Sequence, residues 1–194
     1  MIEIYSQKEL ERLLRRNKPN YNHLISITNP GPGDSEEQKI PDIFYTSFDE
    51  VLELKFYDHD TEDNFPNSIA EDYRIIPQKE HIEEAIEFFT KSLGTATGYI
   101  IHCWRGVSRS TAIGLGLLYL IHRDELTAAR ELIKIRKNSM PNTRTVRYFD
   151  EILGSNLDIY RAKLHRIKLA RIRKELGLEK EVTEEDFIDR LPLP

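Results

Sequence analysis

The sequence predicts an α/β protein, with a central, mainly parallel sheet flanked by helices and a C-terminal helical extension. Three observations carry this. Strand-like and helix-like segments alternate as far as Gly154, the pattern of a layered α/β domain. Tyr99–His102 is a short apolar run of the kind buried on both faces of a sheet. Ser110–His122 is apolar on nearly all sides, which suits only a helix at the centre of a core.

Taken in order, Ile2–Tyr5 is a short strand. Ser6 and Glu9 then form a capping box that starts a helix running to about Asn17, with Leu10, Leu13 and Leu14 on one side. His23–Thr28 is a second strand, ended by Asn29-Pro30-Gly31-Pro32-Gly33, through which no regular element continues. Ile43–Tyr45 is expected as a third, short strand and Val51–Phe56 as a fourth. An acidic irregular stretch from Asp58 to Asn67 follows. Pro77 precedes an amphipathic helix with Ile82, Ala85, Ile86, Phe89 and Leu93 at helical spacing, stopped by Gly94. Beyond the strand at Tyr99 and the helix at Ser110, two more helices are expected, at about Thr127–Lys137 and Thr143–Leu153.

Residues 1–154 thus form the main domain and residues 155–194 a helical extension packing on it. From Arg161 to Lys174 the extension has seven Lys/Arg and no acid, and from Glu175 to Asp189 seven Asp/Glu and one Lys. This predicts a basic helix followed by an acidic one, folded back as a self-neutralising hairpin. A basic face for an anionic partner and coiled-coil self-association are the alternatives.

Composition narrows the function. With 39% hydrophobic and 31% charged residues, the 194-residue chain is of ordinary globular make-up. A net charge of −5 argues against a general nucleic-acid binder. The single cysteine excludes a disulfide framework and a cysteine-based zinc cage. The first ten residues lack a basic-then-apolar secretory signal, and the longest apolar run, Ala112–Ile121, is too short to span a bilayer. A reduced, cytoplasmic setting is therefore expected, with no membrane or nucleic-acid partner.

The chemistry gathers at Ile100-Ile101-His102-Cys103-Trp104-Arg105-Gly106-Val107-Ser108-Arg109-Ser110-Thr111. A buried strand runs into a tight loop, and the loop opens an apolar helix whose first N–H groups and positive dipole end favour an anion. Gly106 sits mid-loop, where the backbone must turn sharply and expose N–H groups. Arg109, six positions after Cys103, can offer two parallel hydrogen bonds to a tetrahedral oxyanion. The same field favours a nucleophilic thiolate at Cys103, and Ser110 can hydrogen-bond the sulfur.

His102-Cys103, five intervening residues, then Arg109-Ser110 resembles the signature loop of the cysteine-dependent protein tyrosine phosphatases, closest to the small dual-specificity type. The likeness covers roughly residues 20–154 and includes a Pro-Asn turn at Met140-Pro141-Asn142. It implies a parallel sheet flanked by helices, no metal or cofactor, and a phosphocysteine intermediate. It further implies a general acid on a loop after a strand upstream of the cysteine. Asp58 stands at that place, with Asp60 second and Asp63 third. Its 45-residue separation from Cys103 exceeds the family's usual spacing, so either the loop carries an insertion, Asn64–Tyr73, or the acid lies elsewhere. Acid clustering around Asp58 would help such a group hold a proton.

The loop residues Trp104, Arg105, Gly106, Val107 and Ser108 are the expected substrate contacts, together with Arg109. His102 is expected to hydrogen-bond backbone beneath the loop and support the Cys103 thiolate. Arg136 and Arg144 are candidates for a second anion site near the pocket.

The expected substrate is a phosphoprotein or another small phosphomonoester, phosphotyrosine first and phosphoserine or phosphothreonine possible. The alternatives are a phosphatase of phosphoinositides or RNA 5′-triphosphates, and a phosphate-binding pseudo-enzyme. The former tend to carry extra loop lysines, whereas here Arg105 is the only loop cation besides Arg109.

Overall fold

The computed structural model describes residues 1–16, 20–31, 39–60 and 75–176. Pro32, Gly33, Asp63, the Asn64–Tyr73 stretch and the acidic helix expected after residue 176 lie outside the described residues. Four strands, β1 (Ile2–Ser6), β2 (His23–Thr28), β3 (Glu50–Lys55) and β4 (Tyr99–Cys103), form one sheet in the order β1-β4-β2-β3. All their pairings are parallel, with Ser6 opposite Cys103, Ser26 opposite His102 and Ile27 opposite Leu54. The carboxyl ends of the strands therefore leave the sheet on one edge, with β4 inserted between two strands that precede it. That is where an open parallel sheet gathers its ligand-binding loops.

The pleat sends alternate side chains to opposite faces, and both faces are covered. Ile4, Ile25, Ile27, Leu54, Tyr99, Ile101 and Cys103 pack in the larger core with α4 (Arg109–His122). Around it lie α3 (Lys79–Ser92), α5 (Glu125–Ile135), α6 (Thr143–Leu153) and α7 (Leu157–Glu175). Leu24 and Ile100 face the other way, onto Leu10 of α1 (Gln7–Arg16) and Phe44 of α2 (Asp42–Ser47). Lying between the layers, α4 is buried from Arg109 through Leu118, as its all-round apolar sequence requires. Gly116 allows the ring of Phe149 on α6 to press against the α4 backbone, where a Cβ would collide with it.

The strand expected at Ile43–Tyr45 is instead helical. Pro41 holds φ at −59° ahead of it, and the Phe44 N–H donates to the Pro41 carbonyl at 2.8 Å. Phe44 and Phe48, four apart, are both buried against Leu10 and Leu24, while Tyr45 between them is exposed. The β-prone side chains Ile43, Phe44 and Tyr45 thus follow a helical spacing, and packing overrides propensity. At the end of α3, Leu93 lies beyond the last helical residue and is 59% exposed rather than on the apolar face.

Several helix starts are capped as the physics of unsatisfied N–H groups demands. The Ser6 N–H donates to the Glu9 carboxylate at 2.7 Å, and the Glu9 N–H donates to Ser6 Oγ at 3.3 Å. Asp124 accepts from the Thr127 N–H at 2.7 Å and starts α5 two residues earlier than expected. Asp150 on α6 accepts from the N–H groups of Leu157 and Asp158, fixing the start of α7. Leu157, Leu164 and Ile167 of α7 are buried in the same core as the sheet, so the first half of the extension is part of the packed body.

Candidate active site

The loop from Cys103 to Arg109 joins β4 to α4 at the carboxyl edge of the sheet. The carbonyls from Trp104 to Ser108 each accept a hydrogen bond. That of Trp104 accepts from the Gln7 N–H, those of Arg105 and Gly106 from the Arg136 guanidinium, and that of Val107 from the Met140 N–H. Ser108 accepts from Ala112 at 2.9 Å. Peptide planes held this way can aim N–H groups toward the sulfur, and that of Gly106 does so, donating to Cys103 Sγ at 3.3 Å. Gly106 itself has φ of +65°, and a Cβ there would lie 2.5 Å from Ser6 N and 2.7 Å from the Tyr5 carbonyl oxygen. Glycine is needed twice over, for the left-handed turn and for contact with the end of β1.

Cys103 is 2% exposed at the loop floor, with Ser110 Oγ at 3.2 Å. Arg109 is also buried, and one edge of its guanidinium is anchored. Nη1 donates to Asn29 Oδ1 at 2.7 Å and to the Phe56 carbonyl at 2.8 Å. Buried Nε has no partner among the described residues. The anchored edge thus leaves the Nε side to serve a ligand, as a bidentate oxyanion contact requires. Asn29, at the end of β2, and the Phe56 carbonyl are parts of the site that sequence reasoning missed. An amide directly after a buried strand was their only signal.

Asp58 follows β3 and lines the pocket over Cys103. Its Oδ1 accepts from Ser108 Oγ at 2.6 Å and from Asn142 Nδ2 at 3.2 Å. Asn142, from the Pro-Asn turn, also caps α6 by accepting from the Thr145 N–H. One amide thereby ties the candidate acid to the helix beside the loop. Asp60 is engaged elsewhere, accepting from the Arg144 N–H at 3.2 Å.

The two arginine candidates for a second anion site meet carbonyls instead, as helix-end arginines commonly do. Arg136 bonds the loop carbonyls from behind and pairs with Glu9 at 2.9 Å, while Arg144 donates to the Pro77 carbonyl at 2.8 Å and lies over the Tyr148 ring. Their charge is consumed by carbonyls and carboxylates that the sequence does not show to be adjacent. Trp104, half-buried, lines the pocket with Lys8 above its ring, and Arg105 stands exposed at the rim.

His102 has a further partner. Its Nε2 bonds the Ser26 hydroxyl at 2.7 Å, across to β2, in addition to the backbone interaction with Cys103 at the start of the loop. Complete burial, and secondarily the Arg109 charge, lower its pKa from 6.5 to about 3. The folded protein therefore holds a neutral imidazole where the unfolded chain takes up a proton, so this group's contribution is full above pH 6.5 and is lost progressively down to about pH 3. Over that window it should remove about 1.4 kcal/mol of stability per pH unit. Urea unfolding of wild type and His102→Gln at pH 7, 6, 5 and 4 checks this: the variant should show the shallower decline, and parallel curves would refute it.

The pocket, about 570 Å³, is also lined by Asn29, Tyr57, His59, Met140, Thr143 and two residues of α7, His165 and Lys168. Among the described residues, no helix is long and apolar enough to cross a membrane.

No protein-family model matches the chain. A stretch of 96 residues, 47% of the chain, is 28% identical to the dual specificity protein phosphatase MPK-4 of Drosophila melanogaster, and the match spans only 25% of that relative's length. Among solved structures, DUSP15 superposes with a TM-score of 0.51 at 20% identity, covering 85% of this chain and 90% of that one. Tk-PTP in the active form gives 0.51 at 17% identity over 79% and 90%. PTPMT1 in complex with PI(5)P gives 0.52 at 14% identity over 86% and 93%. At these identities the structural likeness is one of fold: the chain has the α/β fold of small dual-specificity-type phosphatases, as its loop sequence resembles theirs.

Proposed function

We propose that this protein is a phosphomonoester hydrolase that works through a phosphocysteine, with aryl phosphates such as phosphotyrosine among its substrates. The observation that carries the reading is the Cys103 sulfur lying on the floor of a loop whose Trp104 to Ser108 carbonyls are all engaged, beside the open edge of Arg109. In the first step the Cys103 thiolate attacks phosphorus in line. Loop N–H groups and Arg109 hold the equatorial oxygens and stabilise the spread charge of the transition state. Asp58 gives its proton to the departing oxygen. Water then attacks the phosphocysteine with Asp58 as base, and Ser110, 3.2 Å from the sulfur, eases thiolate departure.

The test is hydrolysis of p-nitrophenyl phosphate in EDTA, with acid quenching during turnover and mass analysis of the Cys103 peptide. Release of nitrophenolate with one phosphoryl group trapped on Cys103 is the expected result. Neither signal across pH 5–8 would overturn the proposal.

Asp58→Asn should lower kcat by about 10²-fold, the ordinary worth of a positioned acid. The loss should be greater for phenyl phosphate than for p-nitrophenyl phosphate, whose leaving group needs a proton least. An equal loss on both would assign the acid elsewhere.

A further inference from the structure

The signature loop is poor in cations beyond Arg109, yet the cavity above it is not. The helix α7 lays His165 and Lys168, three positions apart on one face, into the pocket wall. Both are half-buried and held in place. His165 Nε2 lies 3.2 Å from the Pro141 carbonyl, and Lys168 Nζ donates to the Asn138 carbonyl at 3.2 Å. One turn further on, Arg171 donates to the Lys137 carbonyl at 2.7 Å. The segment 137–141, which continues into the Asn142 contact with Asp58, is therefore stitched to α7 by basic side chains.

An ammonium has three donors and a carbonyl occupies one. Among the described residues no carboxylate bears on Lys168, whereas the Asp60 carboxylate acts on His165 through space. Burial pushes the Lys168 pKa down, so the wall places the cation where its charge is incompletely solvated. Such a charge gains from an anionic partner more than a solvated one does. Arg105, at the rim, carries a second cation into the same cavity.

We propose that Lys168, assisted by His165 and Arg105, forms a second anion subsite, so that the preferred substrates are small organic bisphosphates: the scissile phosphate sits on Cys103 while a second phosphate meets α7. This rests on the hydrolase reading above and names the substrate class for it. It also explains a loop with few cations, because the additional charge comes from a helix far along the sequence.

The test compares phenyl phosphate with 1,4-phenylene bisphosphate, which share a leaving-group type and differ in the second anion. Wild type should show a higher kcat/KM for the bisphosphate, and Lys168→Gln should lower the ratio of the two by about tenfold, the worth of one charge-assisted contact. Lys168→Arg should restore most of it. No wild-type preference, or an equal loss on both substrates, overturns the subsite.

Calorimetry on Cys103→Ser separates this from the hydrolase reading. Inorganic phosphate should bind, and the bisphosphate should bind more tightly unless Lys168→Gln is added. If phosphate binds and the bisphosphate gains nothing, the subsite fails and the loop reading stands. If neither binds, both fail. A soluble inositol bisphosphate and the same headgroup on phosphatidylcholine vesicles, assayed side by side, distinguish free from lipid-borne substrate.

Discussion

Cys103→Ser should lower p-nitrophenyl phosphate turnover by about 10⁴-fold or more, because a neutral hydroxyl on the loop floor cannot replace a thiolate as nucleophile. The rest of the cradle does not depend on the sulfur. The carbonyls from Trp104 to Ser108 are held by Gln7, Arg136, Met140 and Ala112, and Arg109 by Asn29 and the Phe56 carbonyl. The variant should accordingly keep its affinity for inorganic phosphate. Steady-state rates and calorimetric titration check the two halves separately. Residual turnover within tenfold of wild type would mean that another group attacks phosphorus.

Gly106→Ala should cost both activity and stability. The residue is left-handed, with φ of +65°, and an added Cβ would sit 2.5 Å from the Ser6 nitrogen and 2.6 Å from the Tyr5 carbonyl carbon. Backbone is on the receiving side of that collision, so the loop has to shift rather than a side chain. The conformational penalty alone is about 1–3 kcal/mol, and an oxyanion cradle displaced by an ångström should lose about 10²-fold in rate. Gly154 supplies the control. It has the same φ of +65° at the end of α6, with nothing within 4 Å of an added Cβ. Gly154→Ala should show only the backbone penalty in thermal unfolding and no change in kcat/KM. If Gly106→Ala behaved the same way, the close contact with β1 would have no catalytic consequence.

The parts of this molecule legible from sequence are those set by local pattern. Cys103, Arg109 and Ser110 are neighbours in a strand-loop-helix unit, and periodicity places that unit at the carboxyl end of a buried strand. Asp58 stands three residues past the end of another strand, and the parallel register brings it to the same edge. What was not legible depends on contacts between distant segments. Asn29 meets Arg109 across 80 positions, and Arg136 reaches Gly106 across 30. Nothing in the composition of α5 shows that the arginine just after it, Arg136, turns into the back of a loop instead of toward an anion. The helical conformation of α2 is hidden for a related reason, since its β-prone residues gain more by burying Phe44 from the helix, beside Phe48 just after it, than by pairing as a strand. The reach of α7 into the pocket follows from Asp150 capping its first turn, a contact that only the folded chain reveals.

The solitary thiol has a practical consequence. Cys103 is the chain's one sulfhydryl, and it lies beneath the loop that would hold an oxyanion. Every molecule thus carries one built-in counter for functional sites. A single carbamidomethyl adduct per chain, with no background from other thiols, would measure the fraction of a preparation that is competent. Slowing of that adduct's formation by phosphate, vanadate or a candidate substrate would measure occupancy directly, without any coloured product and without knowing the reaction's rate. The same arithmetic makes oxidative inactivation all-or-none for each molecule, since there is no second thiol in the chain to share the damage.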